Sequence, residues 1–422
     1  MAAHAYDAIV VGLGAVGAAT LYQAARRGAR VLGIDQYQPP HDLGSSHGLT
    51  RITRLAVGEG DAYVPLVHRS HQIWRELESA TGLDIMTTTA GLILGPRDAV
   101  AAHHGKPDFV RRTIACAQRH GIAHEVLDAA GIARRYPQFR LRGDELGYWE
   151  PQAGFVRPEA AIEAQLRLAG VLGAQLRTGE RVLDLEPHAG GWQVRTDRAT
   201  HVAAQLVLAA GPWIGQLLRD SLGHAWSASF SVHRQVMHWF DAGAGTPAFA
   251  PGKFPVFIWK FGDAQEDYMY GFPAVGPGPL ALKVATEQYS LSTTPATLER
   301  EVSQVEGLAM HGSRVQGRFD IPRAPPLQSR ACMYTVTPDS NFVLDELPQW
   351  PGVHLASACS GHGFKHSAAV GEALAERVLG RTPTVDLSAF RHARLAAHAY
   401  ADKQKEIPSF PSGAVTGTIA PQ

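Results

Sequence analysis

Cysteine is scarce in this chain. Three occur in 422 residues, Cys116, Cys332 and Cys359, too few for a disulfide framework. An excess of charge of either sign is also missing. Lys and Arg number 39, Asp and Glu 39, and no basic block or stripe stands out, which argues against nucleic acid as a partner. No apolar run is long enough to cross a bilayer. The opening MAAHAYDAIVVGLGAVG has no basic segment ahead of a signal-type apolar stretch. A cytoplasmic protein without a membrane partner is therefore expected. What the chain does have is length for two or three domain-sized units and 45% hydrophobic residues to fill their cores.

Tyr6 to Val11 is apolar and β-branched, as a buried strand is. Gly12-Leu13-Gly14-Ala15-Val16-Gly17 follows at once. Ala15 to Arg27 reads as a helix closed by Gly28, and ARVLGID reads as a second strand ending on Asp35. A glycine triplet counts for little alone, but inside a strand–helix–strand unit it reads as a dinucleotide site. Gly12 allows the tight turn, Gly14 the approach of a pyrophosphate, and Gly17 the packing of helix on sheet. Asp35 stands where a carboxylate grips ribose hydroxyls and would repel the extra phosphate of NADP. NAD and FAD remain equally compatible at this point.

Further along, Tyr63 to Ser79 has helical texture, and MTTTAGLILGP reads as a strand pair or hairpin. Val110 to Pro137 is mostly helical, and PEAAIEAQLRLAGVLGA is another helix. RTGERVLDLE and GWQVRTD read as paired strands, and HVAAQLVLAAGPW as a strand stopped by Gly211-Pro212. Ser231 to Tyr289 is rich in aromatic strands, and Leu298 to Leu308 reads as a helix. The expected class is α/β (α+β). A Rossmann-like cofactor domain is built from discontinuous segments 1–84, 150–226 and 330–400. An antiparallel-sheet substrate domain, 85–149 and 227–329, is inserted, and a loose tail follows over 401–422.

Four stretches, GSSHGLTRITRLAVGEGDAYVPL, YGFP, CMYTVTPDSNFVLD and SGHGFKHSAAVGE, occur in that order. With them the chain, from Tyr6 to about Gly380, resembles the monomeric sarcosine oxidase and N-methyltryptophan oxidase family of flavin amine oxidases. The resemblance implies FAD held covalently through a cysteine thioether, with Cys332 in the matching place. It implies oxidation of a secondary amine to an imine, transfer of electrons to oxygen, release of hydrogen peroxide and hydrolysis of the imine. The implied partners are a small amine substrate with a carboxylate, and oxygen. A monomer without a metal is expected.

The same resemblance assigns roles. Gly12, Gly14, Gly17, Asp35, Ser45, His47, Arg51, Val182, Cys332, Gly361, His362, Gly363 and Lys365 form the cofactor set. Arg51 serves the flavin, and its charge would assist a Cys332 thiolate. Arg54 and Lys365 clamp the substrate carboxylate, as charged donors suit. Lys283 lies over the flavin and activates oxygen by stabilising the anion formed on its reduction. Tyr270 and Tyr334 line the site. Glu287 is a departure, because the best-known members carry histidine there. On a strand it would share a face with Lys283, pairing with it or meeting a cationic substrate group.

Without the resemblance these residues read more plainly. A lone strand cysteine is usually a small hydrophobe, and tyrosines are ordinary packing. Trp239, Phe257 and Trp259 either leave room for a bulky substrate or form core. Two rival readings stay open: a dehydrogenase or oxidase with noncovalent FAD, and a dinucleotide-binding sensor without turnover.

Overall fold

β1 (Tyr6–Val11) lies inside a sheet, and its last four residues are buried. In the computed structural model, which describes residues 5–98, 104, 106–262, 264, 266–276 and 280–396, β1 pairs in parallel with β2 (Val31–Asp35) and with Thr200–Leu208. Gln175–Thr178 extends the parallel sheet beyond β2. Val353–Ser357 extends it on the far side, and Val343–Glu346 adds an antiparallel edge. The hairpin Val182–His188 and Gly191–Thr196 joins the first half of Thr200–Leu208. β1 and β2 are buried on both faces, as parallel strands covered by helices are.

Helix α1 (Ala15–Arg26) packs against Ser367–Val378 and Pro158–Val171. Its crossing with Ser367–Val378 depends on small residues. A Cβ on Gly371 would fall 2.3 Å from the Ala19 Cβ, so the helices touch backbone to backbone. Polar ties reinforce this layer. Glu372 accepts from Arg27 at 3.1 Å and from Arg69 at 2.6 Å.

The second sheet has nine strands, in the order Ser292–Thr293, Ser231–Phe240, Leu282–Ala285, Tyr268–Phe272, Val256–Lys260, Gly91–Pro96, Glu145–Glu150 and Glu125–Asp128, with Gln328–Val336 on the free side of Ser231–Phe240. It is antiparallel except where Val256–Lys260 runs parallel to Gly91–Pro96. A small third sheet sets Gly154–Val156 between Arg51–Thr53 and Met86–Thr88.

Three expectations change, and one left open is settled. The Cys332 strand, placed at the start of segment 330–400, belongs to the second sheet, because it pairs continuously with Ser231–Phe240 from Val336 to Gln328. MTTTAGLILGP does not pair with itself, since Met86–Thr88 and Gly91–Pro96 lie in different sheets. The helix expected over Leu298 to Leu308 begins only at Gln304. Its cap is Ser303, whose hydroxyl accepts from the Glu306 amide at 3.1 Å, the first half of a capping box. Phe257 and Trp259 are core, packed among Phe139, Phe254 and Phe319. The tail 401–422 lies outside the described residues.

Candidate active site

A cavity of about 610 Å³ opens at the carboxyl end of β1, lined by Gly12, Gly14, Asp35, Ser45, Arg51, Val182, Tyr334, Cys359, Gly361 and Gly363 among others. The glycine loop fits a dinucleotide on its own geometry. Gly12 has φ +89°, and a Cβ there would lie 2.6 Å from the Ala209 carbonyl oxygen. A Cβ on Gly17 would lie 1.7 Å from the Gly12 oxygen. Around Gly14 the nearest atom to such a Cβ is Ser46 Oγ at 3.8 Å, so the space a pyrophosphate needs is open. The N-terminus of α1 has no side-chain cap, which leaves its amides for an anion. Asp35 ends β2 at the cavity wall. Its Oδ2 accepts from the Leu13 amide at 2.7 Å and its Oδ1 from the Tyr37 amide at 2.8 Å. A carboxylate has lone pairs left after two such bonds, so the residue can brace the loop and still receive a ribose.

Arg51 brings positive charge to the cavity wall. Arg51 NH2 donates to the Ser45 carbonyl at 2.8 Å and stands 3.8 Å from Cys332 Sγ. Cys332 is buried and does not line the cavity. Its sulfur lies behind Arg51 and Ser45, 3.5 Å from the Ser45 carbonyl. Burial raises the thiol's pKa, and Arg51 and Lys283 only partly oppose it. The thiolate assistance expected of Arg51 is therefore present but outweighed.

Lys283 is fully buried. Its Nζ donates to Gly48 O at 2.7 Å, Thr50 O at 2.9 Å and Thr50 Oγ1 at 3.3 Å. The rings of Phe272 and Trp239 lie 4.5 and 5.2 Å away. Burial, then Arg51, holds its pKa well below the ordinary lysine range. Three acceptors match the three donors of an ammonium. Glu159 steadies this platform by accepting from the Gly48 amide at 2.6 Å. His47 is buried nearby, and burial, then Arg51 and Lys283, pulls it down to about 3, so its imidazole is neutral.

Arg54 follows the strand Arg51–Thr53, and its side chain meets different partners from those of Arg51. Glu150 fixes the chain there, taking the Leu55 amide at 2.7 Å and the Ala56 amide at 3.2 Å. The Arg54 guanidinium bonds the Ala56 carbonyl and grips Glu59 through both carboxylate oxygens, at 2.8 and 3.0 Å. Its buried Nε has no hydrogen-bond partner among the described residues. Lys365 Nζ donates to the His362 carbonyl at 2.8 Å and approaches Glu59 to 3.7 Å. Burial brings its pKa down to about 8, with Glu59 opposing and Arg54 adding. His104 lies 3.5 Å from Glu59 and 3.1 Å from Glu287. Glu287 also accepts from the Tyr289 hydroxyl at 2.9 Å. The Tyr270 and Tyr334 hydroxyls meet at 3.1 Å, and burial raises both pKa values, so both stay protonated.

Expected placements differ for Glu287, His362 and Lys365, and Cys332 and His47 likewise do not line the cavity. Glu287 does not pair with Lys283. The strand Leu282–Ala285 ends before it, so alternation no longer holds the two on one face, and Glu287 turns to His104. His362 does not line the cavity. Its ring stacks on Phe342 at 4.9 Å, and Nε2 meets the Ser340 carbonyl at 3.0 Å. Lys365 also points away from the cavity, toward Glu59, while its neighbours Gly363 and Phe364 line the wall. Sequence reasoning missed Glu59 and His104 altogether. Glu59 lay inside the motif GSSHGLTRITRLAVGEGDAYVPL, flanked by two glycines. Among the described residues one metal-type trio, Asp61, Cys116 and His120, comes within 4.8 Å. Arg119 occupies both Asp61 oxygens, at 2.8 and 3.1 Å, so the trio reads as a surface ion pair.

The FAD dependent oxidoreductase model, DAO, matches residues 7–377. Monomeric sarcosine oxidase of Streptomyces avermitilis is 39% identical over 397 residues, which cover 93% of this chain and 98% of that protein. N-methyl-L-tryptophan oxidase of Salmonella heidelberg is 32% identical, over 93% of this chain and 99% of that protein. Among solved structures, NikD, an unusual amino acid oxidase essential for nikkomycin biosynthesis, superposes with TM-score 0.77 at 24% identity, over 92% of this chain and 98% of that one. The likeness to NikD concerns the fold alone. The glycine loop, the cavity it borders and these matches agree, and the chain belongs to the DAO family of FAD-dependent oxidoreductases, among its sarcosine oxidase and N-methyltryptophan oxidase members.

Proposed function

We propose that this protein is a flavin-dependent oxidase of secondary amines that carry a carboxylate, such as N-methyl or cyclic amino acids. One observation carries the reading. Arg54 and Lys365, from distant parts of the chain, converge on a single buried carboxylate, Glu59. The site thus already displays the ligand chemistry it would use on an amino acid. The names of the curated relatives, oxidases of N-methyl amino acids, support the same class. In this reading the first sheet holds the nucleotide half of the cofactor, and the second sheet faces its ring and the substrate.

FAD, when bound, would supply the acceptor for a hydride equivalent from the C–H beside nitrogen and a route for the two electrons to oxygen, giving hydrogen peroxide. The chain supplies the setting. Arg54 and Lys365 orient the carboxylate and bring positive charge near the amine. Like charge disfavours the ammonium, so the amine binds neutral, its lone pair supports C–H cleavage, and no protein base is required. Protonated Tyr270 and Tyr334 are donors at the wall of the site. Lys283 stabilises negative charge as oxygen is reduced, and water hydrolyses the released imine. Gly12, Gly14, Gly17, Asp35 and Val182 hold the nucleotide half. Ser45, Arg51, Gly361 and Gly363 line the part of the cavity that would take the ring, with His47 buried nearby. Peroxide release from a panel of N-methyl and cyclic amino acids, beside matched amines lacking the carboxylate, tests the function. Turnover of the acids is expected, and a silent panel would overturn the reading.

Cys332 is the proposed tether of the flavin. Acid precipitation of the holoenzyme should leave yellow colour in the pellet, and Cys332→Ala should move it to the supernatant. A second reading, noncovalent FAD, is favoured by the raised thiol pKa and by the position of the sulfur behind Arg51 and Ser45. Colour in the wild-type supernatant would decide for it.

A further inference from the structure

We propose that His104 is a positioning residue, the cation that keeps hold of Glu59 when a substrate carboxylate takes over Arg54 and Lys365. The inference rests on reading those two residues as the carboxylate clamp. Glu59 is 4% exposed and, among the described residues, has three cationic neighbours: Arg54 at 2.8 Å, His104 at 3.5 Å and Lys365 at 3.7 Å. A substrate carboxylate competes with Glu59 for two of them. A buried carboxylate left without cations is strongly unfavourable, so the exchange requires the third to stay.

His104 is built to stay. Its Nε2 is anchored on Glu287 at 3.1 Å, and its Nδ1 faces Glu59. Its ring lies 5.0 Å from that of His362. It fits against Gly361, where a Cβ would come within 2.9 Å of Nε2. The backbone of His104 has φ +48°, a conformation that non-glycine residues hold only when their surroundings impose it.

Among the described residues, the groups around the imidazole include Glu59, Glu287 and His362, with Lys365, Tyr289 and Tyr268 coupled to it through the two carboxylates. Burial disfavours the imidazolium, Glu287 and Glu59 outweigh it, and the pKa rises to about 9. His362 is held well below the ordinary range, first by burial, and stays neutral. The sign follows. The charge on His104 is present below about 9 and lost above it, and that on Lys365 is lost above about 8. Carboxylate binding therefore weakens as pH rises through this window, in two components, and the His104 component is the one a variant removes.

The test is calorimetric titration of the holoenzyme with propionate, a carboxylate without an amine, across the alkaline range, together with substrate kinetics. His104→Gln is expected to weaken propionate roughly tenfold or more and to raise KM by the same factor. The limiting rate of flavin reduction should change little. His104→Lys should recover most of the loss. In a Glu59→Gln background, His104→Gln should add almost nothing, because the anion it serves is gone. Unchanged propionate affinity in His104→Gln would overturn the proposal, as would a slowed reduction step at constant affinity. A wild-type enzyme that binds no propionate would instead remove the clamp reading and this inference with it.

Discussion

Lys283→Met should slow reoxidation of the reduced enzyme by oxygen by about a hundred- to a thousandfold, the usual effect of removing a preorganised electrostatic stabiliser. Methionine keeps the length and apolar stem of lysine, so packing against Trp239 and Phe272 is largely retained. What is lost is an ammonium aimed by Gly48 and Thr50. Oxygen acquires negative charge as it is reduced, and a cation fixed in a buried site needs no reorganisation to meet it. Anaerobic reduction by substrate should change far less, because Lys283 makes no contact with the Arg54–Lys365 clamp. Stopped-flow mixing of reduced enzyme with aerated buffer separates the two steps. Burial, then Arg51, lowers the Lys283 pKa, so oxygen reactivity should begin to fall well below the pH at which an exposed lysine titrates. Wild-type reoxidation in the variant would remove Lys283 from the oxygen step.

Lys365→Met has the second large effect, and it falls on the other half-reaction. Truncating one partner of a buried charged pair costs about 2–5 kcal/mol, or roughly thirty- to several-thousandfold. Here the loss should appear in kcat/KM for the amine, with KM raised and flavin reduction slowed together. Arg54 alone would then hold the carboxylate, and Glu59 would compete for it without Lys365 to share. The amine would also lose the nearby positive charge of Lys365, so less of it would be neutral at a given pH. Stopped-flow reduction at saturating and limiting amine distinguishes these contributions. Unchanged reduction kinetics would take Lys365 out of the site.

Local features of this fold were legible from residues alone. The loop Gly12–Gly17, helix α1 and Asp35 are decided within one strand–helix–strand unit, and periodicity and glycine spacing suffice to find them. The clamp and the oxygen-facing lysine were legible only through family motifs, because their geometry is long-range. Lys283 is fixed by Gly48 and Thr50, and Arg51 meets Cys332 across two sheets. No periodicity encodes such contacts. Glu59 escaped notice because a carboxylate between glycines reads as a solvated turn, and only the fold shows that it is buried against Arg54. His104 stands outside any regular element. The place of Glu287 was misread because strand alternation was carried past the end of Leu282–Ala285. The helix start at Gln304 was missed although Ser303 and Glu306 have capping-box spacing.

The central claim is that two cations, Arg54 and Lys365, hold the carboxylate of the amine being oxidised. The most direct measurement is anaerobic bleaching of the bound flavin by an N-methyl amino acid and by its methylamide, which keeps the amine and removes the charge. Rapid bleaching by the acid is expected, with a large loss of affinity and rate for the amide. Equal bleaching by both would contradict it.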